Sequence, residues 1–203
     1  MTANIAVFVS GGGTNLQALI DAQKAGIIHS GEIKVVIASR EGVYALERAK
    51  KAGIPAMAVQ KKDFPSQQDY EQKLIDVLES YDIDMIVLAG FLSILSGDFI
   101  RHYRNRIINV HPSLIPSFCG KGYYGLKVHE AALSYGVKVT GATVHYVNEV
   151  PDGGQIIYQK AVDIQPDDTP ETLQRRVMEQ AEWILLPRAA EKVCSDIVKE
   201  KSE

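Results

Sequence analysis

The stretch NIAVFVSGGGTNLQALIDAQKAG, residues 4–26, decides the fold class. Asn4 to Ser10 is almost wholly apolar, as a strand covered on both faces must be. Glycines follow, and NLQALIDAQKAG then spaces its apolar residues like one face of a helix. Strand, glycine turn and helix make the first half of a βαβ unit. The alternation continues through IKVVIAS (33–39), a helical YALERAKKAG (44–53) and the short PAMAV (55–59). Ser66 to Tyr81 carries Leu74, Ile75, Val77 and Leu78 on one helical face, with Ser66 as its N-cap. DMIVLAG (84–90) is the most continuous apolar strand of all. This order predicts an α/β fold with a doubly wound, mostly parallel sheet of right-handed crossovers.

The second half reads differently. TGATVHYVN (140–148) and GQIIYQKAVDI (154–164) stand only five residues apart, which predicts an antiparallel pair. A long helix closes the chain, capped by Thr169 with Pro170 in its first turn, and Pro187 is expected to kink or interrupt it.

Composition bounds the function from outside. The 203 residues are 46% hydrophobic and 23% charged, ordinary values for a globular protein. A net charge of −3 gives no basic excess for nucleic acid. Cys119 and Cys194 form no CxxC pair, so neither a disulfide framework nor a metal site is expected. The first apolar run is too short to span a bilayer and has no basic segment before it, so the expected location is cytoplasmic, away from membranes.

Two places carry chemistry. In VSGGGTNLQAL (9–19) the glycines allow close backbone approach, and the helix N-terminus offers unpaired N–H groups to an anion, with Thr14 and Asn15 as added donors. Leu16 stands where a dinucleotide fingerprint starting at Gly11 needs its third glycine, so a phosphomonoester suits the turn better. In IINVHPSLIPSF (107–118), Asn109 and His111 are two apart on a strand and share a face. An amide and an imidazole there can donate to an oxyanion and move a proton at one point. Asp152, followed by two glycines, is either a turn aspartate or a third member of that group. His145, between Thr143 and Val147 on a half-buried strand, reads as supporting rather than catalytic.

Five blocks, SGGGTNLQAL, VLAGFLSIL, INVHPSLIPSF, GATVHYVNEVPDGGQII and MEQAEWILLP, occur in one order along the chain. Together they resemble the phosphoribosylglycinamide formyltransferase family, folate-dependent enzymes of purine synthesis. The resemblance implies a single formyltransferase domain over 1–203, with a Rossmann-like phosphate-binding half (1–100) and a catalytic, folate-binding half (101–203). It implies transfer of a formyl group from 10-formyltetrahydrofolate to the glycinamide amine, through a tetrahedral intermediate and without a metal. Asn109, His111 and Asp152 fall on the family's catalytic residues, and Thr143 and His145 on a supporting pair. Gly12, Gly13, Thr14 and Asn15 fall on the phosphate loop, and Glu179 and Glu182 on acids that hold the glycinamide substrate. Leu92, Ser93, Ile94 and Leu95 fall on the segment lining the pterin pocket. Ser93 and Gln67 stand where relatives often place folate-contacting arginines, and KGYYG (121–125) looks inserted. The resemblance leaves a monomer or weak homodimer open, and a cis Ile115–Pro116 bond is implied. The alternatives are a formyltetrahydrofolate deformylase, which releases formate with the same three side chains, and a non-catalytic nucleotide-binding module. A methionyl-tRNA formyltransferase would need a further basic domain.

Overall fold

A computed structural model describes residues 2–202. Seven strands form one sheet: β1 (Ala3–Val9), β2 (Gly31–Ala38), β3 (Ala56–Ala58), β4 (Met85–Leu88), β5 (Ile107–His111), β6 (Val139–Tyr146) and β7 (Ile156–Asp163). Their order across the sheet is β3-β2-β1-β4-β5-β6-β7. Pairing is parallel from β3 to β5 and antiparallel from β5 to β7. The mixed α/β sheet with its antiparallel strand pair is therefore as expected. β1 has β2 on one side and β4 on the other, so the order reverses there and opens a crevice at the carboxyl edge.

Helices cover both faces. α1 (Thr14–Lys24), α2 (Tyr44–Lys51) and the C-terminal helices pack their apolar residues on one side, against Ile5, Val7 and Val9. α3 (Gln67–Ser80) and α4 (Gly97–His102) cover the other, where Phe8, Ile37 and Ile86 meet Tyr70, Leu74 and Phe99. Each fully buried aliphatic or aromatic side chain of this kind contributes about 1.5–3 kcal/mol. Ser66 caps α3 by accepting from the Asp69 N–H, as expected. Thr169 and Thr172 form a reciprocal cap around Pro170, again as expected.

Two corrections concern helices. α5 (Leu126–Tyr135) occupies the stretch after KGYYG, where no element is expected from the sequence. The C-terminal helix is interrupted, but before Pro187 rather than at it. α6 (Pro170–Val177) passes into a π turn, Met178–Glu182, before α7 (Trp183–Glu200). Pro187 has no N–H for the carbonyl of Trp183, four residues back, and Trp183 is the first residue beyond the π turn. The π turn thus lies just ahead of the turn whose bond the proline removes. Among the described residues no helix is long and apolar enough to cross a membrane.

Candidate active site

β1, β4 and β5 end together at the carboxyl edge, and each delivers part of the site. β5 presents Asn109, half-buried, and His111, buried, from its last three residues. β6 runs antiparallel beside it and sets His145 opposite Asn109 and Thr143 opposite His111. The chain then turns back at 147–155, and Asp152 enters the same space. Asp152 holds a left-handed φ of 55°. Glycine at 154 is required by close approach, since a Cβ there would lie 1.6 Å from the Tyr146 carbonyl oxygen.

Three distances define the cluster. Asp152 Oδ2 is 3.6 Å from His111 Nδ1, and Asp152 Oδ1 is 3.7 Å from His145 Nε2. The Asn109 amide nitrogen lies 3.2 Å from His145 Nε2. His145 Nδ1 donates to the Tyr146 carbonyl at 2.8 Å, and its Nε2 faces both the Asn109 amide and the Asp152 carboxylate. An amide nitrogen carries two protons, so Asn109 keeps one free. His111 Nε2 donates to the Phe118 carbonyl at 2.9 Å, while Nδ1 faces the carboxylate. Both ring nitrogens thus face oxygen acceptors.

The carboxylate is fixed from a third side by the Gly120 N–H, 2.8 Å from Oδ2. Burial pushes the Asp152 carboxyl up, but the His145 contact, the His111 charge and the Gly120 N–H outweigh it and hold it below its ordinary value. Gly120 adjoins KGYYG, so that loop reaches the site through the backbone just before it. Phe118 anchors it, its ring meeting those of Tyr123 and Tyr135 at 6.4 and 6.0 Å. Thr143 works from behind. Its hydroxyl donates to Ser113 O at 2.7 Å and accepts from the Ile115 N–H and from Gln159. This braces the turn at Ile115–Pro116, whose peptide bond is cis.

A cavity of about 230 Å³ opens beside the cluster. Asn109, His145 and Asp152 form its polar end, and Phe91, Ser93, Ile94, Leu95, Ile100 and Val150 are among its other walls. His111 stands behind Asp152 and is not on the wall. Leu92 is also off the wall, its N–H donating to Ser10 Oγ at 2.9 Å. Gln67 stays outside, its amide turned inward to the Ile94 carbonyl and Glu71.

The glycine turn lies at the same edge, at the end of β1. Gly13 is the N-cap of α1, without a side-chain cap, and no acidic residue stands in the first turn. The N–H groups there are free for an anion. Thr14 turns its hydroxyl to Met178, and Asn15 donates to Glu182 Oε2 at 2.7 Å. Asn15 and Glu182 are both buried, and burial pushes the Glu182 carboxyl up to about 7, the Asn15 amide pulling it partly back. Glu179, on the same π turn, points outward and pairs with Arg175 at 2.8 Å. Arg48, unremarked in the sequence, donates to the Gly12 carbonyl at 2.8 Å. A groove of about 660 Å³ between α1 and α7 meets the turn at Thr14 and Arg48 but contains none of the three polar side chains. Among the described residues no three His, Cys, Asp or Glu are grouped to hold a metal.

A family model, Formyl transferase, matches residues 3–189. The chain belongs to the formyl transferase family. Within that family it is 40% identical over 177 residues to the phosphoribosylglycinamide formyltransferase of Escherichia coli K12, covering 87% of this chain and 81% of that protein. The solved phosphoribosylglycinamide formyltransferase of Coxiella burnetii is 41% identical, with a TM-score of 0.88 over 97% of this chain and 89% of that one. The trifunctional purine biosynthetic protein adenosine-3 of Drosophila pseudoobscura is 46% identical over 201 residues, but this formyl transferase chain spans only 14% of its length. The same holds for the other trifunctional relatives, of which it spans 13–19%.

Proposed function

We propose that the chain transfers the formyl group of 10-formyltetrahydrofolate to the amine of phosphoribosylglycinamide, a step of purine synthesis. The observation that carries this reading is the meeting of Asn109, His111 and Asp152 from two distant segments beside one cavity. The cavity is of a size for a bicyclic ring rather than a whole drug-sized molecule, and its hydrocarbon walls with a polar end suit a pterin. Ser93, Ile94 and Leu95 form the wall, with Gln67 buttressing it. Gly12, Gly13, Thr14 and Asn15 hold the ribonucleotide phosphate, chiefly by backbone N–H. Glu182, with Glu179 at the rim, faces the remainder of the glycinamide substrate.

The folate supplies an N-formyl group, and the residues meet the charge that develops on its oxygen. The free Asn109 proton is the donor that meets that oxygen, and one such donor contributes about 2.7–4 kcal/mol; His111, whose Nε2 is bonded to the Phe118 carbonyl and whose Nδ1 faces Asp152, acts through the carboxylate. Asp152 orients His111 through Nδ1, accepts the proton shed by the attacking amine and passes it to the folate nitrogen as the bond between that nitrogen and the formyl carbon breaks. His145 orients both Asn109 and Asp152. Thr143 holds the backbone after His111.

Replacing His111 by Ala or Asp152 by Asn is expected to lower kcat by roughly 100- to 1000-fold. Ribonucleotide affinity, measured by calorimetry, should change less than about threefold, because the phosphate turn lies apart from both side chains. Wild-type turnover in either variant would overturn the assignment.

A further inference from the structure

Phe91, Ser93, Ile94 and Leu95 line one wall of the cavity, and the stretch 91–95 lies outside every helix and strand. Phe91 packs edge-on against Phe8 and Leu95 is buried, but Leu92 and Ile94 between them are exposed, so side-chain burial holds only the ends of the segment. Its polar attachments are to side chains. At one end the Leu92 N–H meets Ser10 Oγ, and at the other the Ile94 carbonyl accepts from Gln67 at 3.1 Å.

Both attachments at the second end lead to a single carboxylate. Glu71, in the second turn of α3, is buried although no cation pairs with it among the described residues. Its Oε1 accepts from the Ser96 N–H and from Gln67 Nε2, each at 2.5 Å, and its Oε2 accepts from the Ser96 hydroxyl. Ser96 is the N-cap of α4, its hydroxyl oxygen accepting from the Phe99 N–H at 3.2 Å. Glu71 therefore fixes the residue where the wall ends and α4 begins, and through Gln67 it also fixes the carbonyl two residues earlier. A carboxylate accepts only, and three donors converge on this one. Three hydrogen bonds to a charged acceptor form the kind of support that places a wall to within a fraction of an ångström.

We infer that Glu71 is a positioning residue for the formyl-donor pocket, setting the wall 91–96 from behind without touching the donor. The inference rests on the functional reading above. It also accounts for Gln67, whose amide is spent on the wall and on Glu71 rather than offered to a ligand.

The test compares two substitutions. Glu71→Leu removes every acceptor and should raise the KM for 10-formyltetrahydrofolate about tenfold, while the ribonucleotide KM stays within twofold. Glu71→Gln keeps a carbonyl for the Ser96 N–H and Gln67, and turns its amide to the Ser96 oxygen, so it should restore the donor KM to within about threefold of wild type. An unchanged donor KM in folded Glu71→Leu, equal rises in both KM values, or no recovery in Glu71→Gln would overturn the inference. Should Glu71→Leu fail to fold, Ser96→Ala removes one of the three bonds, and an unchanged donor KM there overturns it equally. Hydrogen exchange separates this inference from the functional reading. Amides of 91–96 must lose protection in Glu71→Leu, or in Ser96→Ala, even if the wild type transfers no formyl group, and unchanged protection would overturn the inference.

Discussion

At Gly13 a Cβ would stand 2.7 Å from the Ala45 Cβ and 2.9 Å from its Cα, in backbone with φ of +71°. Neither the space nor the conformation admits a branched side chain. Gly13→Val should cost about 1–3 kcal/mol in stability. It should also raise the ribonucleotide KM at least tenfold, since α1 must shift to relieve the contact; an unchanged KM would place the phosphate elsewhere. Single residues were unequally legible in the sequence. Asn109 and His111 declare themselves because strand alternation puts them on one face. Asp152 reads equally well as a turn residue, since nothing local shows that the turn folds back over β5. His145, expected to support, sits within 3.7 Å of the carboxylate, and the partner that draws it there lies seven residues on. Glu182 is visible only through resemblance, because an acid in a helix carries no sign of its burial. Glu71 and Arg48 give no signal, as the groups they fix, the Ser96 N–H and hydroxyl and the Gly12 carbonyl, lie 25 and 36 residues away in the chain.

Strands were the more legible elements. Runs such as DMIVLAG are buried on both faces, and a stretch of that length and composition suits little else. The helices that escaped reading are α4 and α5. α4 is six residues long, too short for a period to show, and depends on the Ser96 cap. α5 follows a glycine-rich loop and starts at Gly125 without a side-chain cap, so its beginning is unmarked in the sequence. Pro187 did foretell an irregular helix, but not its place. The π turn ends before Trp183, the residue whose bond the proline removes, and it sets Glu182 beside Asn15 while Glu179 points outward.

For the molecule as a whole, two buried groups tilt stability in opposite directions with pH. Glu182 rises from 4.5 to about 7 on folding. Its stabilising contribution is therefore complete below 4.5 and lost as pH climbs through about 7. His129, buried on α5 with neither ring nitrogen partnered among the described residues, falls from 6.5 to about 4, burial first and the His111 charge second. Its contribution is complete above 6.5 and lost as pH drops through about 4. Asp152, held below its ordinary value, adds a loss only at still lower pH. Urea unfolding between about pH 4 and 8 should show Glu182→Gln gaining stability with rising pH relative to wild type, and His129→Leu losing it. Each difference should be about 1–3 kcal/mol across the range; profiles parallel to wild type would contradict both assignments.

The most direct trial of the catalytic claim is to incubate the protein with 10-formyltetrahydrofolate and phosphoribosylglycinamide and identify the products by mass spectrometry. Formylated ribonucleotide appearing one for one with tetrahydrofolate is the predicted result. Free formate beside unaltered ribonucleotide, or no change in either compound, would contradict it.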